Sequence, residues 1–253
     1  MNDNWWAAAS LIMALAFTGL GWRLLSTGRK FLYSHFWMAC LLLLQTGALC
    51  VKSWQTGMCP IRGGAEVLFF LAWAINLFYL ILGRAYRMSV LGIFTAPAIA
   101  VLTALALFMG MGETEARGVH DFWVTAHVGV AMMSYGAGAL AAAAGVAFCL
   151  QNACLKQKRI PGTCRLLPPI RTLEASMQRL LAVAFVLLLV GEWLGWQRHL
   201  PINAGKTAIV ILLTAWYAVL LLWIYRKGMP GRTLAFFCMA LFLASMSIFL
   251  VSR

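Results

Sequence analysis

Residues 123–150 read WVTAHVGVAMMSYGAGALAAAAGVAFCL. The run contains no Asp, Glu, Lys or Arg, and it exceeds the roughly 20 apolar residues that cross a bilayer as a helix. Small residues recur four apart within it. Ser134, Gly138 and Ala142 form one ridge, and Ala137, Ala141 and Gly145 form another. Such ridges let helix backbones approach closely. The run therefore predicts a central membrane helix, with His127 and Tyr135 turned to the interior rather than to lipid.

Seven more runs of the same kind lie at about 5–22, 34–51, 65–83, 88–110, 174–194, 207–225 and 233–251, which makes eight. Of the 253 residues, 63% are hydrophobic and 11% are charged, and the mean hydropathy is +0.85. That composition excludes an ordinary soluble domain. No run alternates polar and apolar residues as a membrane barrel strand does, and helices pair their own backbone groups in lipid. The expectation is an all-α polytopic bundle of about eight transmembrane helices, forming one integral membrane domain over 1–253. Pro97 predicts a kink within the fourth helix.

The charges give the direction. The odd loops and the helix starts beside them hold Arg23, Arg29 and Lys30, then Arg84 and Arg87, then a basic cluster from Lys156 to Arg179, then Arg226, Lys227 and Arg232. Against these 14 cations stands one acid, Glu174. The even loops and the termini hold the other 6 cations and 6 acids. This is the positive-inside asymmetry, and it predicts both termini on the non-cytoplasmic side. The net charge of +13 is then an orientation signal. It does not point to nucleic acid, because the cations are spread over membrane-edge loops and not gathered on one face. Asn2 and Asp3 precede the first run where a signal peptide would be basic, so that run reads as a retained helix.

Few residues in this pattern can carry chemistry. Of four histidines, His35 falls at the inner start of the second span, and His120, His127 and His199 fall at the outer face. His127 sits about one turn inside the membrane, where a ring nitrogen needs a hydrogen-bond partner, a water or a metal. The residues alone favour a histidine bonded to a neighbouring helix; an axial ligand to haem iron is the sharper alternative. Trp193 and Trp196 fit an interfacial aromatic belt. Glu66 opens the third span, where it suits the helix dipole and can pair with Arg62 or a neighbouring helix. Seven cysteines show no CxxC spacing. Cys50 and Cys59 lie towards the outer face and can pair there, whereas Cys149, Cys154 and Cys164 lie at the inner side, where thiols stay reduced. Walker, HExxH and nucleophile motifs are absent, as are an internal repeat and a chain of buried acids and bases between the two faces.

Two spacings carry a family resemblance. One is Pro60-x5-Glu66-x3-Phe70-x2-Trp73, followed by Tyr79, Gly92 and Pro97; the other is His127-x7-Tyr135. Over about residues 55–253 the chain resembles the cytochrome c assembly family, the CcsA/ResC-type haem handlers with their YpjD- and HemX-like relatives. The resemblance implies a site facing away from the cytoplasm, with His127 at the position of an outer axial ligand to haem. It makes Phe70, Trp73 and Tyr135 packing positions of the shared fold. The chain departs from the haem-handling members in the outer segment expected to read WGxxWxWD. Here Gly191 to Pro201 keeps Trp193 and Trp196 without the aspartate, and no histidine follows His199. In this respect it is similar to the YpjD/HemX-like branch.

The resemblance implies a protein of the bacterial inner (plasma) membrane that binds or handles haem b, transiently or stably, during biogenesis of c-type cytochromes. His127 is then the axial ligand. His199 or His120 can supply a second by position, and Trp193 and Trp196 can pack on the porphyrin edge. Its partners would be the lipid bilayer, a second assembly subunit and apocytochrome c, and it would assist haem attachment without being a self-contained lyase. The alternative is a haem-free, HemX-like scaffold or regulatory subunit that kept the fold and lost the site.

Overall fold

The computed structural model describes residues 5–27, 33–56, 63–85, 91–110, 122–156, 167–197 and 204–250. Eight helices account for nearly all of them: α1 (Trp5–Ser26), α2 (Ser34–Thr56), α3 (Gly64–Ala85), α4 (Leu91–Phe108), α5 (Phe122–Lys156), α6 (Ile170–Gln197), α7 (Ala204–Lys227) and α8 (Gly231–Leu250). The first seven are long and apolar enough to cross a membrane, and α8 carries a shorter apolar stretch over Gly231–Met246. The all-α membrane architecture expected from the apolar runs is therefore the one found. Two ends differ in a way that matters below. α5 continues to Lys156, and α6 continues past the expected end at about 194 to Gln197, so all of Gly191–Gln197 is helix. α4 runs on as helix through Pro97.

The helices group into two compact units. The first comprises Met1–His120 with Leu150–Pro169, and the second comprises Asp121–Cys149 with Ile170–Arg253. In the first unit α1 packs on α2 and α4, and α3 packs on the same two helices. Its core includes Phe17, Met38, Phe69, Ile75, Tyr79 and Ile99.

Lipid gives two helices no hydrophobic reason to associate, so close packing and polar contacts must do it. α2 and α3 carry such contacts along their whole length. At one end Lys52 Nζ lies 2.6 Å from Glu66 Oε1. Next, Trp73 Nε1 donates to Thr46 Oγ1 at 2.9 Å. Midway, Asn76 Nδ2 donates to Gln45 Oε1 and to the Met38 carbonyl, each at 3.1 Å. At the far end the Ser34 and Tyr79 hydroxyls are 3.0 Å apart. A Cβ on Gly92 of α4 would come within 2.8 Å of the Tyr79 hydroxyl, so glycine lets α4 close over that end. Glu66 also accepts from the Gly63 N–H at 3.3 Å, which caps α3. The acid thus does both things expected of it, with Lys52 as the partner on a neighbouring helix.

In the second unit α6, α7 and α8 touch one another, and α5 reaches all three. The Ser134 hydroxyl donates to the Ala184 carbonyl of α6 at 2.7 Å. A Cβ on Gly138 would lie 3.0 Å from the Tyr217 hydroxyl of α7, and one on Gly145 would lie 3.0 Å from the Ala235 carbonyl of α8. The small-residue ridges of α5 therefore face its neighbours, and Tyr135 is buried as predicted. α7 ends on Gly228, whose φ of 66° suits a residue without a Cβ and turns the chain into α8. Large apolar side chains such as Leu43, Leu212 and Leu243 point outwards, as lipid contact requires.

Two cysteine readings need correction. Cys50 is a free thiol, so the pairing with Cys59 is not made. Cys154, expected to stay reduced, is disulfide-bonded. Spacing alone carried no signal for either outcome.

Candidate functional site

His127 lies in the second turn of α5, half-buried against α6. Its Nδ1 is 2.7 Å from the Gly191 carbonyl oxygen. A carbonyl can only accept, so Nδ1 carries the proton. In the neutral ring this leaves the Nε2 lone pair free of protein hydrogen bonds among the described residues.

Two glycines make the seat. A Cβ on Gly195 would lie 3.0 Å from both Cε1 and Nδ1 of His127, and one on Gly191 would lie 3.7 Å from the Ala131 nitrogen. Gly191 and Gly195 are four apart, as are His127 and Ala131, so one turn of α6 is bare where one turn of α5 presses in. Between the glycines, Glu192 turns to α7. The Thr214 hydroxyl donates to its Oε1, and Tyr135 lies within electrostatic reach of the carboxylate.

The structure treats the sequence candidates unequally. His127 sits on a polar contact, as the residues alone suggested, and among the described residues its other ring nitrogen makes no hydrogen bond. Trp193 and Trp196 are exposed, at 53% and 77%. Successive helical residues turn by about 100°, which places Trp193 on the side of α6 opposite the Gly191 edge. Trp196 is turned well away from that edge. Neither is brought to the imidazole. His120 and His199 lie outside the described residues. Among the described residues no group of three His, Cys, Asp or Glu side chains is placed to hold a bare metal ion. One free imidazole nitrogen fits a metal that arrives already chelated, as iron does in haem. Gly191, Glu192, Gly195 and Thr214 were missed as site residues. The available signal was Gly191-x3-Gly195, the same spacing read correctly in α5 but cut here by the expected end of the run at about 194.

A family model described as cytochrome C assembly protein matches residues 63–253. The chain belongs to the cytochrome c assembly protein family. Among family relatives, the cytochrome c biogenesis protein CcsA of Microcystis aeruginosa is 29% identical over 150 residues, covering 57% of this chain and 42% of the relative. The CcsA of Synechococcus sp. (strain CC9605) is 32% identical over 132 residues, covering 50% of this chain and 42% of the relative. Protein HemX of Brevibacillus brevis is 27% identical over 191 residues, covering 73% of this chain and 70% of the relative. The chain thus spans less than half the length of these CcsA relatives and more than two thirds of HemX. The matched region of the cytochrome c assembly family takes in all of α3 to α8, including both halves of the His127 seat.

Proposed function

We propose that this protein handles haem at the outer face of the bacterial inner membrane during assembly of c-type cytochromes. The observation that carries the reading is the 2.7 Å bond from His127 Nδ1 to the Gly191 carbonyl. Metal-bound histidines usually donate their other ring N–H in this way, which sets the tautomer and raises the basicity of the ligating nitrogen. His127 would hold haem iron through Nε2. Gly191 and Gly195 orient the ring, and Ala131 packs against Gly191. Haem, when bound, supplies an iron that takes the imidazole and vinyl groups open to the thiols of apocytochrome. The lipid bilayer, a second assembly subunit and apocytochrome c are the partners of this reading, and the chain assists attachment without acting as a lyase alone. His120 and His199 are the candidates for a second ligand. Trp193 and Trp196, exposed on other sides of α6, serve as interfacial anchors and reach a porphyrin only at its rim.

The test is an absorption spectrum of the protein in mild detergent, oxidised and dithionite-reduced, beside His127→Ala. A Soret band with reduced α and β bands, lost in the variant, is expected. A featureless spectrum that persists after added haem rejects the reading.

A second reading is favoured by the more even coverage of HemX than of CcsA. Here the chain is a haem-free scaffold or regulatory subunit that acts through partner helices. It expects His127→Ala to leave partner co-purification and cytochrome maturation intact.

A further inference from the structure

α7 and α8 are joined by the short turn Gly228-Met229-Pro230. It is closed by bonds from the Gly228 N–H to the Ile224 carbonyl and from the Leu234 N–H to the Pro230 carbonyl. The turn keeps Arg226 and Lys227, at the end of α7, beside Arg232, at the start of α8, and all three are exposed. Arg226 and Lys227 suit the dipole of the helix they end. Arg232 does not, because a cation at a helix start opposes the dipole. Arg232 also lies within the apolar stretch Gly231–Met246. Its guanidinium carbon is 6.0 Å from the centre of the Phe236 ring, one turn further into that stretch. Phe236 is 54% exposed, and Leu243, two turns on, is 69% exposed. At about 100° per residue, Arg232, Phe236 and Leu243 fall on one face of α8, and the buried Leu234, Ala235, Cys238 and Leu241 fall on the opposite side. From Arg232 to Leu243 this face runs about 16 Å along the helix, close to the roughly 15 Å of hydrocarbon in one leaflet. Glu174 of α6 meets α8 on its packed side, with its Cδ 3.3 Å from where Gly231 would carry a Cβ.

We propose that this face of α8, with the cations of the α7–α8 turn, binds an anionic phospholipid. The headgroup phosphate takes the Arg232 guanidinium, which can offer two parallel N–H donors. One acyl chain runs along Phe236 and Leu243. Arg226 and Lys227 add the charge that favours a headgroup of net negative charge over a zwitterionic one. A cation at the edge of the hydrocarbon and an apolar stripe one leaflet deep match the two parts of a single lipid.

The full-length protein in detergent is titrated with dioctanoyl phosphatidylglycerol and, separately, dioctanoyl phosphatidylcholine, and bound lipid is counted by native mass spectrometry. Phosphatidylglycerol should bind more tightly. Arg232→Gln should weaken it by about fivefold, the scale of one basic residue at a membrane surface, and should weaken phosphatidylcholine by less. Phe236→Ala takes away chain contact and should weaken both lipids alike. Arg232→Lys keeps the charge without the two-pronged donor, so it should keep the preference for phosphatidylglycerol at lower affinity. Arg171→Gln removes an exposed cation of α6 outside the turn and should cost clearly less than Arg232→Gln. Equal losses in those two variants would reduce the effect to general attraction by a positive end and overturn the proposal. Unchanged phosphatidylglycerol binding in Arg232→Gln overturns it as well. Melting temperatures without added lipid separate lost binding from lost folding.

Discussion

At the residue scale, one glycine decides whether His127 can be a ligand. Any side chain at Gly195 starts 3.0 Å from two atoms of the imidazole. Gly195→Leu should push the ring from the Gly191 carbonyl and cost about 1–3 kcal/mol by overpacking. Its haem or porphyrin binding should fall as far as that of His127→Ala, read from the Soret absorbance. Retained binding in Gly195→Leu would mean that the ring position is not set by α6. His127 was legible in the sequence because histidine is rare in an apolar run. Gly195 was not, because its role depends on which helix lies opposite. Glu192 was hidden for a related reason: near the end of the 174–194 run it reads as a solvated acid, and only the packing of α7 on α6 sets it against Thr214.

At the element scale, pairs of helices show where membrane packing draws its energy. Glu66 is 4% exposed and Lys52 is 17% exposed, so the pair is held largely out of water. Lys52→Ala should destabilise the protein by about 3–5 kcal/mol, because it takes a countercharge away from a buried carboxylate. The double variant Lys52→Met with Glu66→Met should recover most of that loss. Denaturation in mixed detergent micelles measures both, and additive losses would refute the pairing. Asn76→Leu removes two contacts of the same helix pair. It should cost roughly 1–2 kcal/mol, since interhelical hydrogen bonds in membranes average near 0.6 each. In the other unit, Gly145→Leu meets the backbone of Ala235, which cannot rotate aside. It should loosen α8 and lower the melting temperature, whereas Gly129→Leu, with open space around its Cβ position, should not.

At the scale of the whole molecule, the charge pattern predicts direction. A phosphatase fused after Arg253 should be active, and one fused after Gly228 should be inactive, with the reverse for a fluorescent protein that matures only in the cytoplasm. The opposite pattern would place the His127 end on the cytoplasmic side and remove the outer-face reading. The helical class, the membrane setting and the places of the helices among the described residues followed from the sequence by itself, because lipid demands long apolar runs and those are visible one residue at a time. Family membership followed as well from two spacings, and the family model that matches residues 63–253 shows it. The small-residue ridges of α5 predicted close helix packing, and they face its neighbours in the second unit. What only the tertiary structure decided was pairing. It set Lys52 against Glu66, Trp73 against Thr46, the bare turn at Gly191 and Gly195 against His127, and Thr214 against Glu192. These contacts join residues on separate helices, and the apolar pattern that defines each helix is nearly uniform around its surface. It cannot say which face meets which neighbour, so the polar and glycine positions acquire their meaning only once the helices are brought together.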